Sequence, residues 1–357
     1  MLNVTLAGAG RYGMGLIGPK YANNMFPNAQ LTAVVDPYIP EDTFNTSPLK
    51  DKALYRNPDE WANRPGRSSN PHQQVVDLAL KPELIATSIQ QYAGLGVKNM
   101  ILPKPVAFTK ADLKTIEAEE NEHHLKLGVA SNWAYSSIPV EIHRSIEAAK
   151  QQGYSVQRVE MNYDKERGSM EGTTPTYCCF PHAMQVLDSA KLVDMEHDKP
   201  EVTEATPTRV AVDYHPAGIR DGIHVQSDMN QPFNRSIRVY LNDGDPEADI
   251  VADLGVLFEK DGKTLKRPGH FSVDIGQGDK HLHIDKDVFE DTLQLGYNRM
   301  FNAFQQAVPQ KTSASADMDA QRRFNEDPGV LTFDHYAHVQ EQLIDIQEAW
   351  ARKIAQN

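Results

Sequence analysis

The run Gly8-Ala9-Gly10-Arg11-Tyr12-Gly13 constrains this chain more than any other. An apolar stretch, residues 2 to 8, leads straight into it. Residues 11 to 26 read as helical, and Leu31-Thr-Ala-Val-Val-Asp36 is a second β-rich run that ends in an acid. Strand, helix and strand over about 35 residues is the pattern of a parallel βαβ unit. Its three glycines serve different ends. The first permits a tight turn, the second lets backbone approach a pyrophosphate, and the third lets helix and strand pack closely. The helix start offers free N–H groups and partial positive charge to phosphates. Asp36 can accept from both hydroxyls of a ribose and would repel a 2′-phosphate. Gly8, Gly10, Arg11, Tyr12, Gly13 and Asp36 are therefore candidate cofactor residues. The cofactor expected is NAD, with NADP the alternative because Arg11 and the basic residues of 37–72 could meet a phosphate.

A second constraint lies at Met100-Ile-Leu-Pro-Lys-Pro105. An apolar run ends in a lysine held between prolines, where an ordinary turn would use Gly, Asn or Asp. In an open parallel sheet, ligands sit beyond the carboxyl ends of the strands. Lys104 follows such an end, and Pro105 restricts it to extended backbone angles. A cation there can hydrogen-bond a substrate hydroxyl and stabilise negative charge growing on its oxygen.

The rest of the chain divides by texture. A third strand is expected within Glu83–Ser88, a helix over about 110–125, a strand over Lys126–Ala130 and a helix over about 137–151. That last helix carries the stripe Ile138, Ile142, Ile146 and Ala149, and Gly153 closes it. Residues 37–72 read as a long surface excursion with a short helix near Asp59–Ala62. From about 154 to 285, alternating segments (Val156–Tyr163, Arg209–Tyr214, Ser236–Leu241, Val251–Phe258) predict a mostly antiparallel sheet. Two helices follow. One bears Phe289, Leu293, Tyr297, Met300, Phe304 and Val308; the other bears Tyr336, Val339, Leu343, Ile346 and Trp350. Both are expected to pack on the sheet.

Length favours two domains, since 357 residues exceed what one core usually supports. The division predicted is 1–130 and 131–357, with the C-terminal helices able to pack back on the first. A net charge of −13 argues against nucleic acid or anionic membranes as partners. No apolar stretch approaches the ~20 residues of a membrane helix, and the N-terminus reads as a strand rather than a signal peptide. The two cysteines, Cys178 and Cys179, are adjacent and suit neither a disulfide framework nor a zinc spacing, so a reducing cytoplasm is expected. His281 and His283 share a strand face without a third ligand at supporting spacing, and no metal is expected. The acidic runs Asn242–Asp245 and Asp285–Asp287 lack calcium-loop spacing and read as turns and a helix start.

These motifs, with Ile85-Ala-Thr87, Lys104-Pro105, Gly128-Val-Ala-Ser-Asn-Trp133 and His182, occur in an order that resembles the glucose–fructose oxidoreductase / inositol dehydrogenase / rhizopine catabolism (Gfo/Idh/MocA) family, over essentially the whole chain. The resemblance implies a Rossmann α/β domain followed by an α+β domain with an open, mostly antiparallel sheet. It also implies an NAD(P)-dependent oxidoreductase acting on a small hydroxylated substrate such as a sugar or cyclitol. The alternatives are imine or carbonyl reduction in a biosynthetic pathway, hydrolysis or epimerisation with tightly held NAD, or a silent NAD-binding sensor or scaffold. By resemblance, Lys104 contacts substrate and nicotinamide, and His182 serves as general acid/base. Thr87 and Ser88 line the cofactor, while Asn132, Trp133, Tyr163, Tyr177 and Cys178 border the substrate. Pairing into a homodimer or homotetramer through the second-domain sheet is implied as well. The chain departs from the family at Pro103, where a glutamate is usual, and at Cys178, where an aspartate is. It departs also at Ser88 (usually proline) and Tyr92 (often histidine), and no arginine follows Asn132 two places on. The cofactor half is kept and the substrate half has drifted.

Overall fold

The computed structural model describes residues 1–356 except 66, 67, 69, 165–173, 242–248, 255–256, 259–264, 276–280 and 310–312. The acidic run Asn242–Asp245 lies outside the described residues. The chain forms two units, the first built from Met1–Ser131 and Thr292–Ala337. Its sheet contains β1 (Leu2–Ala7), β2 (Ala29–Val35), β3 (Ala53–Tyr55), β4 (Gln74–Leu78), β5 (Asn99–Leu102) and β6 (Lys126–Val129). Every neighbouring pair is parallel, in the order β3-β2-β1-β4-β5-β6. The direction of winding therefore reverses between β1 and β4, where ligands of such sheets bind. Among the described residues five α-helices are interleaved: α1 (Gly18–Ala22), α2 (Glu41–Asn45), α3 (Pro58–Ala62), α4 (Pro82–Gly94) and α5 (Lys110–His123). The excursion 37–72 thus contains an edge strand and two short helices. It is pinned by Trp61, buried in α3, whose indole N–H donates to Thr5 Oγ1 at 2.7 Å.

One expected strand is a helix. Residues 83–88 lie in α4, with Pro82 in its first turn and Ile85, Ile89 and Tyr92 buried along one face. That spacing of four and three is helical; the β-branched residues of Ile85–Ile89 mislead because tertiary burial outweighs their strand preference. The actual third strand in chain order of the central group, β4, is buried at every position. A strand covered on both faces shows no alternation to read. Thr87 is exposed and Ser88 half-buried on α4, so neither stands at a strand end. Tyr92 is core, edge-on to Trp61 at 5.4 Å, which removes its expected correspondence to a family histidine.

The second unit comprises Asn132–Glu259, Thr264–Asp291 and His338–Asn357. It opens with α6 (Ser137–Gln151), capped by the Ser136 hydroxyl, which accepts from Ile138 N; the predicted stripe Ile138, Ile142, Ile146 and Ala149 is buried. Then come β7 (Val156–Asp164), α7 (Pro175–Cys178), α8 (Phe180–Ser189), β8 (Glu201–Ala205), β9 (Arg209–Tyr214), β10 (Ile223–Asp228), β11 (Asn234–Leu241) and β12 (Ile250–Asp253). A small pair, β13 (Leu257–Phe258) and β14 (Leu265–Arg267), stands apart from the main sheet, which ends with β15 (Gly269–Ile275) and β16 (Leu282–Val288). The eight-stranded order is β16-β15-β12-β11-β7-β10-β9-β8, antiparallel except where β10 runs parallel to β7. Asp285–Asp287, expected as a turn and helix start, lies within β16. The strand propensity of the flanking Ile284 and Val288 and the pairing with β15 decide it.

Among the described residues three α-helices follow where two were expected: α9 (Thr292–Gln306), α10 (Ala314–Asn325) and α11 (Phe333–Gln356). Residues Thr292–Ala337 belong to the first unit. There Tyr297, Met300, Phe301 and Phe304 join Leu2, Val4, Leu6 and Phe26 in one apolar core, and Tyr297 stacks on Phe26 at 5.2 Å. Phe289 is 61% exposed and precedes the helix, so the predicted stripe begins at Leu293. The later part of α11 belongs to the second unit, where Trp350 donates to Thr206 O at 2.9 Å.

Candidate functional site

In the first unit, β1 ends at Ala7 and the chain turns at Gly8, whose φ of +98° favours glycine. A Cβ on Gly8 would stand 2.5 Å from Ala79 O, and one on Gly13 would stand 2.1 Å from Gly8 O. These two glycines are required by the protein's own packing. Gly10 is different, for a Cβ there would meet nothing within 4 Å. The middle of the loop therefore opens on free space at the switch point of the sheet, which is what a backbone approach to pyrophosphate needs. The chain is helical from residue 11 to 22, first with a π turn at Gly13–Ile17 and then as α1.

Asp36 follows β2 and is tied to that loop. Its Oδ2 accepts from Ala9 N at 2.7 Å, and its Oδ1 accepts from Tyr38 N and Ile39 N at 2.8 Å each. The carboxylate is thus held beside the loop with one further lone pair, on Oδ2, available to a ribose hydroxyl. Arg56, one of the basic residues of 37–72 named as able to meet a phosphate, is brought here. Its guanidinium donates to Ile39 O at 2.7 Å and to Asp36 O at 3.4 Å, setting a cation at the same corner. The pairing of β2 with β3 brings it there. Arg11 is exposed at the helix start.

Beneath the loop lies a buried network of polar groups. Tyr21 donates to Asp77 Oδ2 at 2.9 Å, and Tyr297 donates to Asp77 Oδ1 at 3.1 Å. The Tyr297 oxygen is 3.2 Å from the hydroxyl of Tyr12 in the glycine motif. With Tyr297 committed to Asp77, Tyr12 is the donor of that pair. Burial pushes the Asp77 carboxyl up to about 7, against the opposing pull of the two phenol donors. Tyr12 and Tyr297 are held above the ordinary phenol range, chiefly by burial. Lys104 lies two residues beyond β5, half-buried, and its peptide bond to Pro105 is cis. Thr87 and Ser88, on α4, are not brought to this loop by the strand end that was expected to carry them.

In the second unit, three of the sequence-predicted residues meet. The His182 ring, on α8 with Pro181 in its first turn, stacks on Tyr163 at 5.2 Å and 13°. Trp133, in the 3₁₀ turn Asn132–Tyr135, donates its indole N–H to the Tyr163 hydroxyl at 3.0 Å. Tyr163 sits on the inward face of β7, and burial pushes its phenol up to about 12. It remains a neutral phenol at physiological pH. Arg235 joins this group, its guanidinium 4.8 Å from the Tyr163 ring and 4.2 Å from Phe233. It stands directly opposite Tyr163 in the β7–β11 register, a long-range pairing that no local motif announces. Cys178 ends α7, four residues before His182, and is half-buried, whereas Cys179 is buried. Asn132 and Tyr177 are half-buried, and burial pushes the Tyr177 phenol up to about 12. Asp164 accepts from Asp228 N at 2.9 Å, so the acid next to Tyr163 is engaged with the neighbouring strand.

No protein-family model and no curated protein matches this sequence. Solved structures do match in fold. The aldose-aldose oxidoreductase from Caulobacter crescentus, complexed with glycerol, is 13% identical with a TM-score of 0.69, over 99% of this chain and 98% of that one. A 3-ketoreductase from Actinomadura kijaniata, in complex with TDP-benzene and NADP, is 11% identical with a TM-score of 0.60, over 91% and 95%. The UDP-N-acetylglucosamine 3-dehydrogenase from Acidithiobacillus ferrooxidans is 11% identical with a TM-score of 0.56, over 91% and 96%. This chain has the fold of these oxidoreductases along nearly its whole length: a parallel, dinucleotide-type sheet and a mostly antiparallel sheet of eight strands. Among the described residues no helix is long and apolar enough to cross a membrane.

Proposed function

We propose that this chain is a nicotinamide-dependent oxidoreductase of the Gfo/Idh/MocA type, working as a homodimer or homotetramer on a small hydroxylated substrate such as a sugar or cyclitol. The observation that carries the reading is the glycine loop. Gly8 and Gly13 are demanded by packing, while Gly10 faces open space beside an acid anchored to the loop. Gly8, Gly10, Arg11, Tyr12 and Gly13 would hold the pyrophosphate, and Asp36 the ribose, which favours NAD. Arg56 beside Asp36 is the feature that would accommodate a 2′-phosphate instead. The fold neighbours named for sugar substrates, and the one bound to NADP, support the class.

Bound nicotinamide would supply the hydride acceptor or donor. Lys104, restrained by its prolines, would donate to the reacting oxygen and stabilise negative charge on it. His182 would take or return the substrate proton, since an imidazole serves both roles near neutral pH. The stack on Tyr163, itself fixed by Trp133, would orient that ring. Asn132, Tyr177 and Cys178 would border the substrate. Cys178 in place of a carboxylate favours a second reading, imine or carbonyl reduction, in which donating a proton matters more than removing one.

The test is a fluorescence titration of purified protein with NADH and NADPH, then an absorbance screen of polyols, sugars and imines. Lys104→Ala and His182→Ala are each expected to lower turnover by about 10²–10⁴-fold while cofactor affinity stays within a few-fold. Turnover surviving both changes would reject the assigned roles, and failure to bind either dinucleotide would reject the class.

A further inference from the structure

The edge of the second unit's sheet carries a cluster that the nicotinamide reading does not use. In sequence, His281 and His283 lack a third ligand; the sheet register supplies it. Asp274 on β15 stands directly opposite His283 on β16, and successive outward positions of a strand share one face. The three side chains are exposed, and their ligand atoms all lie within 4.8 Å of one another. Asp274 Oδ2 is 3.2 Å from His283 Nδ1, and Asp274 Oδ1 is hydrogen-bonded to His281 Nε2. The two imidazole rings are 6.0 Å apart, centre to centre, and inclined by 32°. One carboxylate thus faces two ring nitrogens across a hairpin.

Ligand atoms placed tetrahedrally about 2.1 Å from a zinc ion stand roughly 3.4 Å from each other. The separation of Asp274 and His283 already has this scale, and small rotations of exposed rings would close the rest. Two imidazoles and a carboxylate form the donor set that divalent zinc accepts, with a fourth position left for water. We propose that Asp274, His281 and His283 bind one divalent first-row transition-metal ion, zinc by chemistry, at the edge of the eight-stranded sheet. Because β16 is the terminal strand of that sheet among the described residues, with β15 as its neighbour, the ion would cross-link the hairpin and hold the edge strand in place. The same face carries a second group, His270 with Asp285 and Asp287 at 3.2 Å each, which offers one imidazole and is the internal control.

The experiment uses tag-free, full-length protein stripped with chelator, titrated with Zn²⁺ by calorimetry and with Co²⁺ by visible absorption. The expected result is one Zn²⁺ per chain, ligand-field bands of imidazole-bound Co²⁺, and a melting temperature that rises with Zn²⁺. His281→Ala, His283→Ala and Asp274→Asn, all at exposed positions, should each weaken Zn²⁺ by more than about ten-fold and abolish the thermal shift, with circular dichroism unchanged. His270→Ala should bind like the wild type. Absence of saturable binding, binding that survives loss of both His281 and His283, or a loss confined to His270→Ala would each overturn the proposal. None of these readouts depends on nicotinamide.

Discussion

Gly10 and Gly13 belong to one motif yet answer to different demands, and substitution separates them. Gly13→Ala drives a methyl into Gly8 O, so a stability loss of about 1–3 kcal/mol is expected in urea unfolding. Gly10→Ala places its methyl in open space. It should unfold like the wild type but bind dinucleotide at least about ten-fold more weakly, since the methyl occupies the pyrophosphate approach. Equal affinity for Gly10→Ala and wild type would contradict the assigned cradle. Residues of this sort were legible in the sequence because backbone chemistry dictates their identity. Arg235 was not, and Arg56 was legible only as one of several basic residues in 37–72. Each acquires meaning from a strand partner far away in the chain, Asp36 through the β2–β3 pairing and Tyr163 through β7–β11. The third metal-ligand candidate, Asp274, was hidden for the same reason.

Between elements, the buried carboxyl of Asp77 links β4 to α1 through Tyr21 and to α9 through Tyr297. Its folded value, about 7, lies above the ordinary 3.8, so between those limits the folded state holds more proton than the unfolded one. Stability contributed by this group is therefore full below about pH 4 and declines as pH rises towards 7. Asp77→Asn should erase the decline. The stability difference between variant and wild type should then shift in the variant's favour by at most about 1.4 kcal/mol per pH unit across that window. A difference that stays flat from pH 4 to 7 would show that the carboxyl does not titrate there. At this scale the sequence was read with uneven success. The stripe of α6 and the alternation of β11 announced themselves because each element has one buried face. β4, buried on both faces, had no pattern to show, and α4 borrowed its place.

For the molecule as a whole, the proposed pairing through the second unit's sheet rests on its polar outer face. There Tyr240 donates to Glu160 at 2.6 Å, and the guanidinium groups of Arg158 and Arg238 lie 4.1 and 5.0 Å from its ring. Light scattering should give two or four chains, and Tyr240→Asp, which sets like charge against Glu160, should reduce the number; a monomeric wild type would end that part of the proposal. Periodicity in α9 foretold that a face is buried but not against what, because an apolar stripe is complementary to any apolar sheet. Its partner is the unit that begins with β1, at the opposite end of the chain. The glycine strand is translated well before its aromatic lid, Tyr297, Phe301 and Phe304. The unit containing that strand is thus completed only by Thr292–Ala337, made after most of the second unit, and a fragment ending at Ser131 would lack the side chains that cover Leu2, Val4 and Phe26.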